Sequence, residues 1–159
     1  MTSTLCYDVI PKSRAPLVVK QVLDRIFQGM LICDFWGAYN KIRALAKQRR
    51  FYHLFTERVK VDQHNPSLGW KAFRKKLSRL LKDAVRLSEK QNQLASEAYL
   101  RLKQGLSDRL DQFLVAPYQD RDTQRLINRL KRHRNELFTF LGYSGVRPDT
   151  PSSRYETRY

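Results

Sequence analysis

Hydrophobic and polar positions in the first part of the chain follow patterns that are typical of strands and one helix. In residues 4–10 (TLCYDVI) large apolar side chains recur at every second position, which predicts a strand. Residues 30–33 (MLIC) are continuously apolar, which favours a short strand buried on both faces of a parallel sheet. Between them, Pro16 suits a helix start, and an apolar helical face follows over residues 17–23.

The next segments continue this alternation. Residues 37–47 (GAYNKIRALAK) predict a helix, and residues 49–55 (RRFYHLF) are typical of a strand that runs into a helix. The order strand, helix, strand, helix implies a right-handed crossover and an α/β layer. The fold class predicted for this part of the chain is therefore α/β.

From Pro66 onward, strand signals disappear and long helical periods begin. Ser67 is a favourable N-cap for the first helix. Three apolar stripes indicate a helical hairpin or small bundle, and such stripes are usually packing seams rather than a cofactor site. Their members are Trp70, Phe73, Leu77, Leu80, Ala84 and Leu87; then Tyr99, Leu102, Leu106, Leu110 and Phe113; then Leu126, Leu130, Leu137 and Leu141. The tail, residues 144–159, has turn residues without periodicity and is expected to be disordered.

The charge balance points to a polyanionic partner. Lys and Arg number 31 against 15 acids, which gives a net charge of +16. DNA or RNA fits this excess, since cations on phosphates release counterions; an anionic membrane surface is the alternative. No apolar run approaches the ~20 residues of a membrane span, and no signal peptide is evident, so a cytoplasmic protein is expected. Cys6 and Cys33 are predicted to be buried free thiols, as in a protein of a reducing compartment.

Asp34 directly follows the apolar run of residues 30–33. The carboxyl end of a buried strand is where α/β sheets place ligands, and a carboxylate there can bind a divalent cation. The alternative is that Asp34 caps the helix that follows. Phe35, Trp36 and Tyr39 could stack on unpaired bases or pack a helix on its sheet. His53 could position a phosphate or an acid, or could be an ordinary core residue.

The basic residues of the helical region are patterned as well. Arg125, Arg129 and Arg132 lie at steps of four and three, on one helical face, and Lys71 and Lys75 share a face of the first long helix. Few acids accompany them, so these five residues are the candidate DNA contacts. If about five such residues met phosphates, affinity would fall with log salt at a slope near −4 to −5.

Several stretches together resemble the insertion-sequence 66 family of bacterial transposases. They are GMLICDFWGAYN, QRRFYHLFTERVK, RLKRHRNELFTFL and GVRPD, in that order, and the resemblance runs from about Leu5 to Asp149. It implies a ribonuclease-H-like fold in which an Asp, Asp, Glu triad binds two magnesium ions, and an activity that cuts and joins DNA at transposon ends. Asp34 stands at the second Asp of that triad, as a catalytic metal ligand. His53 matches the family's His in a Cys-x-x-His segment whose Cys is Arg50 here.

The same resemblance implies a domain division. Residues 1–62 would be a partial ribonuclease-H-like catalytic core, residues 63–143 an all-helical insertion, and residues 144–159 a tail. The family's first Asp lies upstream of Met1, and its final Glu belongs to an Asn-Asn-x-Ala-Glu-Arg order that is absent around Glu156. A fragment of a transposase, inactive alone and without productively bound Mg²⁺, is therefore expected. The alternative is a non-catalytic module that binds DNA, a full-length transposase or its own copies.

Overall fold

A computed structural model describes residues 27–146 and residue 148, and the side chains of this part except those of residues 27 and 28. Its elements follow in chain order: strands β1 (Phe27–Cys33) and β2 (Ala44–Arg49), then helices α1 (Phe51–Asp62), α2 (Leu68–Glu89), α3 (Ser96–Val115) and α4 (Arg121–Arg132). Short 3-10 helices cover Gly37–Lys41, Arg134–Glu136 and Thr139–Gly142. The α/β class is confirmed. The predicted strand at 4–10, helix at 17–23, thiol of Cys6 and most of the tail lie outside the described residues.

The two strands form a parallel pair. Leu31 lies opposite Lys47 and Cys33 opposite Arg49, with a register shift between Phe27 and Met30. The predicted strand at 30–33 is confirmed and begins earlier than its apolar run. The predicted burial on both faces is wrong for residues 30–32, which are half-buried, whereas Cys33 is buried. Cys33 is a buried free thiol, as expected, and burial raises its pKa to about 11.

The helix predicted over residues 37–47 is wrong. Only Gly37–Lys41 is helical, as a 3-10 helix, and Ile42 already has extended backbone angles. The rest of the segment is β2. Its alanines and lysine favour a helix locally, but β1 supplies a hydrogen-bonding partner and the buried side chains of Gln48 and Arg49 hold it in place. Tertiary contacts thus override local helix propensity.

The apolar stripes of α2 and α3 pack as predicted, with one exception. All six α2 stripe residues are buried, and Ser67 caps the helix by accepting a hydrogen bond from the Trp70 backbone N–H at 3.1 Å. In α3, Leu102 is 51% exposed, while the other four stripe residues are buried.

The third helix ends earlier than its stripe predicted. α4 stops at Arg132, and the buried His133 turns the chain, with φ −112° and ψ 20°. Leu137 and Leu141 are nevertheless buried, because the two 3-10 helices that follow fold back onto the same core. The prediction of a single helix through Leu141 is therefore wrong, whereas the predicted core positions of Leu137 and Leu141 are confirmed.

One apolar cluster runs through α1 to α4 and the closing 3-10 helices. Phe51 and Leu54 of α1 belong to it together with Trp70 of α2 and Leu130 of α4. The proposed domain boundary at residues 62 and 63 stays a prediction, as does a ribonuclease-H-like arrangement of the sheet. Among the described helices, none is long and apolar enough to cross a membrane.

Two buried polar residues attach β2 to the end of the described chain. The Gln48 amide donates to the Leu137 carbonyl at 2.8 Å and accepts from the Phe140 backbone N–H at 3.0 Å. Arg49 is fully buried and donates to three groups: Nη1 to the Asp34 carbonyl at 2.5 Å, Nη2 to Asn40 Oδ1 at 2.8 Å, and Nε to Glu136 Oε2 at 2.5 Å. These bonds join both strands, the crossover and the closing segment.

Substitution Arg49→Lys should destabilise the fold by on the order of 3 kcal/mol, because an ammonium group cannot reach three acceptors arranged for a guanidinium and hydrogen bonds to charged groups are worth ~1.5–3 kcal/mol each. Urea unfolding followed by circular dichroism measures the loss. Arg43→Lys is the matched control, since Arg43 is exposed. Equal unfolding midpoints for the two variants would contradict the structural role of Arg49.

Candidate functional site

A cleft of about 540 Å³ at the carboxyl end of β1 is lined by several of the predicted site residues. One wall is the segment after β1, a second is the exposed side of α1, and a third is α4. Six residues singled out from the sequence line this cleft, namely Asp34, Phe35, Trp36, His53, Arg125 and Arg129. These residues belong to separate segments of the sequence, and the fold brings them to one cavity.

Asp34 is half-buried, and its carboxylate shapes the turn after β1. Oδ1 accepts a hydrogen bond from the Trp36 backbone N–H at 2.8 Å. Trp36, not Asp34, is the N-cap residue of the 3-10 helix, and no side chain caps that helix. Asp34 therefore satisfies a backbone donor in the turn before the helix, and its role as a metal ligand stays a prediction.

His53 lies in the first turn of α1, half-buried, with its ring edge-to-face against Tyr52 at a centroid distance of 5.6 Å. It lines the same cleft as Asp34. The ring thus keeps contact with the space in which a ligand would lie, and this position is compatible with the predicted role of positioning a phosphate.

Glu57 is a feature of the cleft that sequence reasoning missed. Its side chain is only 15% exposed and is held between two arginines of α4: Arg129 forms a direct ion pair with Oε2, and Arg125 approaches Oε1 at 3.3 Å. Arg129 also lies 5.9 Å over the ring of Phe35. The charge of Arg129 is therefore largely engaged inside the protein, whereas the Arg125 side chain remains 56% exposed.

The described residues do not fit a site for two magnesium ions. Such a site needs several carboxylates around ions ~3.5–4 Å apart. The carboxylates that line the cleft in this part of the chain are Asp34 and Glu57, and Glu57 is already neutralised by arginines. No group of three or more potential metal ligands is present within residues 27–146.

Lys71 and Lys75 lie away from the cleft, on the solvent face of α2. Together with Arg79, Lys82 and Arg86 they form a row at steps of four, four, three and four, opposite the buried stripe of this helix. We call these five residues the α2 ridge. All five are exposed, and the one ion pair recorded for them in the described part of the chain is a long contact of 3.8 Å between Arg86 and Asp83. Arg132, at the end of α4, is also exposed.

Beside the cleft, the buried His133 links Phe35 to the Arg49 network. Its ring lies edge-to-face against Phe35 at 5.5 Å, and Nδ1 is 3.3 Å from Glu136 Oε2. Burial lowers the pKa of His133, and the nearby positive charge of Arg49 lowers it further, although Glu136 acts in the opposite direction. Neither His133 nor Arg49 belongs to an apolar periodicity that would mark it as buried. Charged and polar residues are normally expected on the surface, so the burial of these two could not be predicted from the sequence.

The model of the transposase IS66 family matches residues 2–153. The chain belongs to this family. Searches of curated proteins and of solved structures gave no match. Membership of the transposase IS66 family supports a transposase-related role and an interaction with DNA, which agrees with the resemblance and the charge balance seen in the sequence.

The lowered pKa of His133 predicts that stability falls as the pH falls. Below an unfolded-state pKa of about 6.5, the unfolded chain binds a proton that folded His133 does not yet bind, so protonation favours unfolding. Chemical unfolding measured between about pH 8 and about pH 5 should show this loss. His133→Gln should reduce the pH dependence, and His64→Gln, which removes an exposed histidine, is the control. A profile for His133→Gln parallel to that of the unaltered chain would contradict the assignment.

Proposed function

We propose that this chain binds DNA in a transposase-related role, that the α2 ridge is its principal contact with the phosphate backbone, and that the chain does not cleave DNA by itself. Family membership supports the role, and the ridge is the observation that carries the proposal. In a ribonuclease-H-like arrangement, Asp34 would stand where the family resemblance puts a catalytic metal ligand, at the carboxyl end of β1.

The ridge has the properties of a phosphate-binding surface. Like charges three or four residues apart on a helix repel one another and destabilise it slightly. The five cations on one face of α2, from Lys71 to Arg86, therefore destabilise the helix slightly by mutual repulsion, and a bound polyanion would offset this repulsion. They extend over about 22 Å at 1.5 Å per residue, so several phosphates of one duplex lie within their reach. Such contacts position DNA without reading its sequence.

The arginines of α4 contribute unequally in this proposal. Arg125 and Arg132 are both exposed and can add contacts to DNA, and Arg125 does so at the cleft that it lines. Arg129 has a different environment, because its ion pair with Glu57 and its position over Phe35 hold it in the structure. We infer that Arg129 shapes the cleft and that Arg125 faces the ligand.

The double variant Lys71→Gln/Lys75→Gln should weaken DNA binding and reduce the salt dependence. Each lost phosphate contact lowers the slope of log affinity against log salt by about 0.9, so a decrease of about 1.8 is expected. Fluorescence anisotropy with a labelled duplex, measured over a series of salt concentrations, gives the slope.

The matched control is Arg43→Gln/Arg101→Gln, which removes the same charge from exposed positions in the crossover and on α3. If binding depends on the ridge, this control retains most of the affinity and the slope. Equal losses in both double variants would show that only the overall net charge matters, and would overturn the assignment of the α2 ridge.

Incubation of the purified chain with supercoiled plasmid and Mg²⁺ should leave the plasmid intact. Of the two carboxylates that line the cleft, Glu57 is paired with arginines, and Asp34 alone cannot hold two metal ions. Asp34→Ala should behave in the same way while DNA binding is retained. Gel electrophoresis of the plasmid is the measurement. Magnesium-dependent nicking that disappears in Asp34→Ala would contradict the proposal that the chain is inactive alone.

A further inference from the structure

Trp36 is the one tryptophan of the described residues that faces solvent. Its side chain is 37% exposed and lines the cleft, whereas Trp70 is fully buried and donates to Asp62 Oδ1 at 2.7 Å. Part of the apolar surface of the Trp36 indole is therefore exposed to water in a concave site instead of being buried within the protein. The position therefore suits a ligand with a flat apolar surface.

The indole is also held in place before any ligand arrives. Its backbone N–H is fixed by the Asp34 carboxylate at 2.8 Å, and its ring lies edge-to-face with Tyr39, with centroids 5.7 Å apart. The preceding backbone is attached to β2, since the Asp34 carbonyl accepts from Arg49. A pre-organised aromatic ring loses little conformational entropy on binding.

The α1 and α4 walls of the cleft supply positive charge. Lys60, Arg125 and Arg129 contribute three positive charges against the two negative charges of Asp34 and Glu57. Arg129 is paired directly with Glu57. Arg125 also lies 3.3 Å from Glu57 and 3.7 Å from Asp122, but its side chain is 56% exposed, so Lys60 and Arg125 are the cations of the cleft that a ligand can reach. An aromatic surface in the same cleft as two accessible cations is suited to a ligand that is flat at one end and anionic at the other.

We propose that this cleft holds one unpaired nucleotide of a DNA strand, with its base stacked on Trp36 and its phosphate near Lys60 and Arg125. A cavity of about 540 Å³ is of the size that holds small ligands, typically ~300–1,000 Å³. In a duplex the faces of the bases are covered by their neighbours, so only an unpaired base can stack on an indole. The inference rests on the proposed DNA binding, but it uses residues separate from the α2 ridge.

Intrinsic fluorescence tests this directly, because Trp36 and Trp70 are the 2 tryptophans of the chain. Titration of the full chain with single-stranded oligo(dT) should quench the emission of Trp36, whereas a duplex of the same length should quench it much less. Trp36→Phe leaves only the buried Trp70 as a reporter and should abolish the quenching, while the phenyl ring retains part of the affinity.

Affinity provides a second readout. Trp36→Ala should weaken binding of oligo(dT) roughly 5- to 150-fold, the range expected for loss of one stacked base, and should leave duplex affinity unchanged. Tyr143→Ala is the matched control. Tyr143 is 39% exposed and lines a second recess, which lies beside β2 and is separate from the cleft. Circular dichroism of each variant verifies that the fold is retained.

The outcomes separate the two proposals. If duplex binding depends on the α2 ridge but oligo(dT) binds equally well to the unaltered chain, Trp36→Ala and Tyr143→Ala, the nucleotide site is wrong and the proposed function stands. If neither form of DNA binds, both are overturned. Quenching by oligo(dT) that is absent in Trp36→Phe, together with a selective loss of single-strand affinity in Trp36→Ala, supports the site.

Discussion

The buried guanidinium of Arg49 is the interaction on which the position of the cleft depends. A buried charge is tolerated only when its hydrogen-bonding groups are satisfied, and Arg49 has acceptors on the end of β1, on the crossover and on the closing 3-10 helix. Two of the acceptors, on Asp34 and Asn40, lie within 15 residues of Arg49, whereas Glu136 is 87 residues away in sequence. Because one side chain holds all three, the wall that carries Asp34 and Trp36 is fixed relative to β2 and to the end of the described chain.

The positive charge of this chain is divided between two kinds of site. Arg49, Arg74, Arg129 and Arg134 are held by acids of the protein, and the first of them is fully buried. The five cations of the α2 ridge have almost no such partners. The net charge of +16 is therefore not spread evenly over the surface, and the attraction for a polyanion is strongest where the cations have few acidic partners.

Local patterns in the sequence predicted the features that depend on local periodicity. The stripes of α2 and α3, the cap at Ser67 and the strand before Asp34 are of this kind. β2 could not be found in this way, because ALAKQR favours a helix until β1 and the contacts of Gln48 and Arg49 hold it extended. The end of α4 at a buried histidine and the pairing of Arg129 with Glu57 likewise depend on residues that are remote in sequence. A helical wheel shows which residues share a face, but not which acidic residue of another helix pairs with them.

The ridge and the cleft lie on elements that are joined by polar contacts. Asp62, the last residue of α1, accepts from the Trp70 indole and from Arg74 of α2, each at 2.7 Å. Asn65, in the loop between these helices, donates to Asp120 at the start of α4. These bonds attach the ridge helix to both helices that line the cleft. In the proposed function, a duplex held on α2 would thus have a defined direction relative to Trp36. Sequence-independent contacts on the ridge would then determine which nucleotide reaches the cleft, through distance along the strand rather than through recognition of a base.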